Sequence, residues 1–120
     1  MFESKILVVE DDPHLLDLYR MELEDEGYRV FTAVDGPEAI QKAQTESLNL
    51  VVLDIKLDKV GGLEVLKEIK KVRKELPVIL NSAYEIYKMD FSTWLADAYI
   101  MKSSNLDELK EKIKELLKID

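Results

Sequence analysis

The run Lys5 to Glu10 (KILVVE) is apolar until it ends in acid, and Leu50-Val51-Val52-Leu53 carries no polar side chain. A strand with one wet face alternates apolar and polar residues, whereas an unbroken apolar run needs cover on both faces. Such strands belong in a parallel sheet sandwiched between helices. Three further runs fit the same use: Arg29–Ala33, Val78–Asn81 after Pro77, and Ala98–Met101.

Helical spacing fills the gaps. Pro13 suits a first helical turn, Leu15, Leu16, Tyr19 and Leu23 recur at helical intervals, and Gly27 is a C-terminal stop. Asp35-Gly36-Pro37-Glu38 reads as turn, cap and first turn of a second helix with Ala39, Ile40 and Ala43 as its stripe. After the break at Gly61-Gly62, residues Leu63, Leu66, Ile69 and Val72 mark a third. Tyr84 to Leu95 is expected to be a helix of poor periodicity, the least regular part of the fold. Asn105 and Glu108 resemble a capping box before the stripe Leu106, Leu109, Ile113, Leu116 and Leu117. Alternation of five strands and five helical segments predicts an α/β fold, a doubly wound five-stranded parallel sheet with right-handed crossovers.

In such sheets ligands bind beyond the carboxyl ends of the strands. Those positions hold Glu10, Asp11 and Asp12 after the first strand, Asp54 after the third, Ser82 after the fourth and Lys102 after the fifth. Carboxylates gathered at close range repel one another unless a cation intervenes. The donors are all hard oxygens, which selects Mg2+ over zinc. A carboxylate, a metal and a lysine together can receive a phosphoryl group.

The ordered set Glu10-Asp11, Asp54, Ser82-Ala83, Tyr99 and Lys102 resembles the receiver domain of two-component response regulators, and the likeness spans nearly the whole chain. It is similar to the single-domain sporulation-phosphorelay and chemotaxis receivers. The resemblance implies the strand order 2-1-3-4-5, a flavodoxin-like arrangement. It implies Asp54 as phosphoryl acceptor and Mg2+ held by Glu10, Asp11, Asp54 and the backbone carbonyl of Lys56. It also implies Lys102 as the phosphate-binding lysine, with Ser82 and Tyr99 as the switch pair. The implied partners are a histidine kinase or histidine phosphotransfer protein and a downstream protein target. A homodimer through the Tyr84–Leu95 segment, the fifth strand and the last helix is a further expectation.

Three departures accompany the likeness. Receivers place Pro after the active-site lysine, with a cis bond between them; Ser103 stands there instead, so a trans Lys102–Ser103 bond and a looser loop are expected. Asp58 replaces a common Pro, and Leu95 replaces a helix-ending Gly. These departures keep a pseudo-receiver in view, an interaction module that is never phosphorylated. An aspartyl phosphatase would need a second aspartate at position 56, where Lys56 stands, and a flavin domain would find its phosphate repelled by Glu10-Asp11-Asp12.

Composition narrows the classes further. Acidic residues number 25 against 17 basic ones, a net charge of −8, which disfavours nucleic acid. There is no cysteine, and His14 is the single histidine, so thiolate chemistry and multi-histidine metal sites are excluded. No run approaches the roughly 18 apolar residues of a membrane helix, and no signal peptide is recognisable. A cytoplasmic stand-alone receiver over residues 1–120, acting as a phosphoryl acceptor rather than an enzyme on other substrates, is the expectation.

Overall fold

The structure, a computed structural model, describes residues 3–57, 61–83 and 95–118. Residues 84–94 of the expected helix over Tyr84–Leu95, with the part of the expected dimer face they would form, and the Asp58 departure lie outside those residues. The elements run β1 (Lys5–Val9), α1 (Pro13–Asp25), β2 (Arg29–Ala33), α2 (Gly36–Thr45), β3 (Leu50–Leu53), α3 (Gly62–Val72), β4 (Val78–Ser82), β5 (Ala98–Met101) and α4 (Asp107–Leu117).

All four strand pairs are parallel and the order is β2-β1-β3-β4-β5. The unbroken apolar runs now have their reason. On one face Leu7, Val9, Val51, Leu53, Val78 and Leu80 pack with Ala39 and Ala43 of α2 and Val65, Leu66 and Ile69 of α3. On the other, Ile6, Val8, Leu50, Val52, Ile79 and Ile100 pack with Leu16, Tyr19 and Leu23 of α1 and Leu109 and Ile113 of α4. Successive residues of a strand point to opposite faces, so a strand between two helical layers needs apolar residues at both parities.

Local chemistry sets the helix ends. The Asp12 carboxylate accepts from the backbone N–H groups of His14 at 2.9 Å and Leu15 at 3.4 Å, with Pro13 at the first helical position. Gly27 ends α1 at φ +94°, a conformation that disfavours any side chain. Asp35 caps α2 by accepting from Glu38 N–H at 3.0 Å. The last helix differs from the expected capping box. Its N-cap position is Leu106, and Asn105 Oδ1 accepts from Asp107 N–H at 2.8 Å. The amide spans two residues rather than three, an Asx turn leading into the helix.

Asp97 fastens the far edge. Its Oδ2 accepts from Val78 N–H and from Lys70 Nζ, each at 2.8 Å, joining β4, α3 and the approach to β5.

Gly62 shows how tightly α3 is set against the end of β3. A Cβ there would fall 2.1 Å from the Asp54 carbonyl oxygen and 2.6 Å from Ile55 Cα, while the Gly62 N–H donates to Ile55 O at 2.8 Å. Gly62→Ala is therefore expected to lower stability by about 1–3 kcal/mol, the usual cost of overpacking. Gly61→Ala, with nothing described within 4 Å of its Cβ, should stay within about 0.5 kcal/mol of the parent. Urea unfolding of both variants checks this; equal effects would refute the close-approach explanation.

Candidate functional site

Strand order reverses beside β1: the chain leaves it for β2 on one side and returns to β3 on the other. The loops after β1 and β3 consequently part and leave a crevice at the carboxyl ends of those strands. Glu10 and Asp11 stand on one lip and Asp54 on the other. Backbone bonds set the lips: Glu10 N–H donates to Ala33 O at 3.0 Å and Asp54 N–H to Val9 O at 3.1 Å. Carboxylate oxygens of Glu10, Asp11 and Asp54 lie within 4.8 Å of one another.

Lys102 enters from the end of β5. Its Nζ donates to Glu10 Oε1 at 2.6 Å and to Asp54 Oδ2 at 3.0 Å. The Glu10 side chain is 3% exposed and that of Asp54 8%, so both ion pairs are largely shielded from water. The remaining oxygens have backbone donors: Asp12 N–H to Glu10 Oε2 at 3.1 Å and Lys56 N–H to Asp54 Oδ1 at 3.2 Å. The Lys56 side chain itself is exposed.

Electrostatics follow from this crowding. Burial, then the hydrogen bond and charge of Glu10, push the Asp11 carboxyl above its ordinary 3.8. Burial alone would lower the Lys102 ammonium, but the bonds and charges of Glu10 and Asp54 more than offset that and hold it above 10.5. One ammonium against three carboxylates leaves two excess negative charges. A hard divalent cation suits that excess and those oxygen donors.

Ser82 is buried at the end of β4, opposite Met101 in the β4–β5 register, and its carbonyl accepts from Lys102 N–H at 2.6 Å. Tyr99 pairs with Leu80 in the same register and packs, half-buried, against the α2–α3 core rather than within the acidic cluster. The described peptide bonds are trans, Lys102–Ser103 included. Asp12 serves as a helix cap, and His14 is exposed on α1.

The profile of the response regulator receiver domain matches residues 6–114. The chain belongs to the response regulator receiver family. Among sequence relatives of this receiver, the alkaline phosphatase synthesis transcriptional regulatory protein PhoP of Bacillus subtilis is 37% identical over 117 residues, covering 96% of this chain and 49% of its own. Response regulator ArlR of Staphylococcus saprophyticus is 32% identical over 116 residues, covering 96% and 53%. The chain thus spans about half the length of these relatives. Among solved structures, response regulator TrrA of Thermotoga maritima in complex with Mg(2+)-BeF superimposes with a TM-score of 0.92 at 47% identity, covering 94% of this chain and 98% of its own. A complex of histidine kinase ThkA with TrrA matches with a TM-score of 0.90 at 47% identity, covering 95% and 98%.

The receiver fold thus brings together Glu10, Asp11, Asp54 and Lys102, with Lys56 and Ser82 tied to them through backbone bonds. The reading of the sequence overlooked Gly62, whose missing side chain lets α3 approach Asp54.

The upward shift of the Asp11 pKa has a consequence for stability. Without metal, protonating Asp11 stabilises the fold, fully so below 3.8, and that gain is lost as pH rises through its elevated folded value. A cation at the cluster competes with the same proton. Calorimetric Mg2+ titrations should therefore show affinity falling on acidification from a pH above 3.8; a fall confined to lower pH would contradict the Asp11 environment described.

Proposed function

We propose that this receiver accepts a phosphoryl group on Asp54 from a phosphohistidine of a histidine kinase or phosphotransfer protein, with Mg2+ present. The observation that carries the reading is the Lys102 ammonium shared between Glu10 and Asp54 inside a three-carboxylate cluster. Support comes from the TrrA structures: that regulator, 47% identical to this chain, binds Mg(2+)-BeF and forms a complex with a histidine kinase.

Glu10, Asp11, Asp54 and the backbone carbonyl of Lys56 would hold the ion. When bound, Mg2+ neutralises charge that develops on the transferring phosphoryl oxygens. The chain's own residues do the rest. An Asp54 carboxylate oxygen attacks phosphorus; the new O–P bond forms as the donor's N–P bond breaks, and the electron pair leaves with the imidazole. Lys102 exchanges its Asp54 contact for a phosphoryl oxygen and keeps Glu10. The hydroxyl of Ser82 donates to a second oxygen.

By analogy with other phosphorylated side chains, the product adds about −1.5 to −2 charge at the rim. Drawing Ser82 inward changes the space beside β5, and Tyr99 shifts between two packings. The face carried by β5 and α4 thereby alters its fit to a downstream protein or to a second copy of the chain. The intact cluster with its lysine argues for this chemistry over an unphosphorylated interaction module.

Incubation with acetyl phosphate and Mg2+ should add one phosphoryl mass to the protein. Asp54→Asn should abolish the gain, and omitting Mg2+ should slow it by about 10²-fold or more. Intact mass spectrometry reads the outcome; persistent labelling of Asp54→Asn would move the acceptor elsewhere.

A further inference from the structure

Asp54 is held through both its backbone and its side chain. Its N–H donates to Val9 O at 3.1 Å, its Oδ1 accepts from Lys56 N–H at 3.2 Å and its Oδ2 from Lys102 Nζ at 3.0 Å. Its carbonyl side rests on α3. The Gly62 N–H donates to Ile55 O at 2.8 Å, and a Cβ on Gly62 would stand 2.1 Å from Asp54 O and 2.9 Å from Asp54 C. The nearest atoms that Cβ would meet all belong to backbone, so no side-chain rotation makes room. Gly62 lies in the first turn of α3 without a positive φ, so alanine suits its conformation and only the space opposes it.

The two sides of this contact are held unequally. Behind Gly62, the α3 residues Val65, Leu66 and Ile69 are fully buried in the core. On the other side, Asp54, Ile55 and Lys56 lie beyond Leu53, the last residue of β3 paired with β1 and β4. Reaching even a tight contact of 3.0 Å from 2.1 Å needs a shift of about 0.9 Å. A loop past the end of a ladder gives more readily than a helix fixed in a close-packed core. The shift would carry Asp54 and Lys56 together, whereas groups that meet a transferring phosphoryl must be held to within about 0.5 Å.

We propose that Gly62 couples α3 to the acceptor loop: its missing side chain lets the first turn of the helix seat the peptide between Asp54 and Ile55, which sets the reach of Asp54 toward Lys102 and of the Lys56 carbonyl toward the cation. Gly62 is a positioning residue, since it touches no reacting atom. This rests on the reading of Asp54 as acceptor and of the Lys56 carbonyl as a metal ligand. Coupling of this kind is reciprocal. Because the seat of α3 governs cation binding, a bound cation tightens the bond from Gly62 N–H to Ile55 O, and the start of α3 registers whether the site is filled.

In the full chain, Gly62→Ala is compared with the parent, with Gly61→Ala, whose Cβ meets nothing within 4 Å, and with Ile69→Val, which loosens the core side of the same helix away from Asp54. Loading from acetyl phosphate is followed by intact mass and Mg2+ affinity by calorimetry, at a temperature where every variant is folded. Gly62→Ala should load about 10- to 100-fold more slowly at saturating Mg2+ and bind Mg2+ about 10-fold more weakly. Gly61→Ala and Ile69→Val should stay within about twofold of the parent in both. Equal behaviour of Gly62→Ala and Ile69→Val would overturn the proposal, because loss of stability alone would then account for the effect. The unaltered protein supplies a second measurement that needs no variant. On adding Mg2+, exchange of the Gly62 amide should slow about fivefold or more relative to that of Arg73, whose N–H donates to Ile69 O at 2.8 Å at the far end of α3. An unchanged ratio would overturn the coupling even where Gly62→Ala fails to fold. A parent that binds Mg2+ but never loads would overturn the acceptor reading alone, and the exchange ratio would still decide the coupling.

Discussion

Lys102 Nζ lies 2.6 Å from Glu10 Oε1 and 3.0 Å from Asp54 Oδ2, and both carboxylates are nearly closed off from water. Burying two like charges is expensive, and one shared cation repays only part of it. The arrangement is held by the paired strands that carry its members. Glu10 follows β1, Asp54 follows β3 and Lys102 follows β5, and their positions are set by backbone bonds of the sheet rather than by side-chain choice. Three residues spread over more than 90 positions can share one contact only if every strand between them holds its register.

That demand explains where the apolar residues go. Two packed layers, one with α2 and α3 and one with α1 and α4, cover both faces of the sheet and offset the cost of the charged rim. The layers also deliver precision. Gly62 lets α3 press its first turn against the Asp54 carbonyl, and Asp97 ties β4 to α3 at the opposite end. The acidic crevice is consequently a stiff cradle with an unmet charge requirement, and a divalent cation or a protonated carboxyl relieves it. Asp11 shows the tension through its raised pKa.

Much of this was legible in the residues themselves. Continuous apolar runs announced strands covered on both faces, and β2, β3 and β5 begin and end where those runs do. Pro13, Asp35 and Gly27 marked helix boundaries through chemistry confined to a few neighbours. The polar residues after each strand pointed to Glu10, Asp11, Asp54, Ser82 and Lys102. Other features were not legible. Gly62 was readable only as a helix break, because the backbone it touches lies at the end of another element. Asn105 looked like a three-residue cap, yet the turn before α4 brought its amide to Asp107.

The order of residue types along the chain determined which segments are strands, which face of each helix is apolar, and which carboxylates stand at strand ends. These follow from local periodicity and from the cost of leaving apolar surface wet or charge dry. Only the tertiary structure decided that Lys102 takes Glu10 and Asp54 together, and that Asp12 caps a helix while Asp11 beside it joins the cluster. Those outcomes depend on strand order and register, which bring distant residues within a few ångströms, and no local pattern of side chains encodes a distance of that kind.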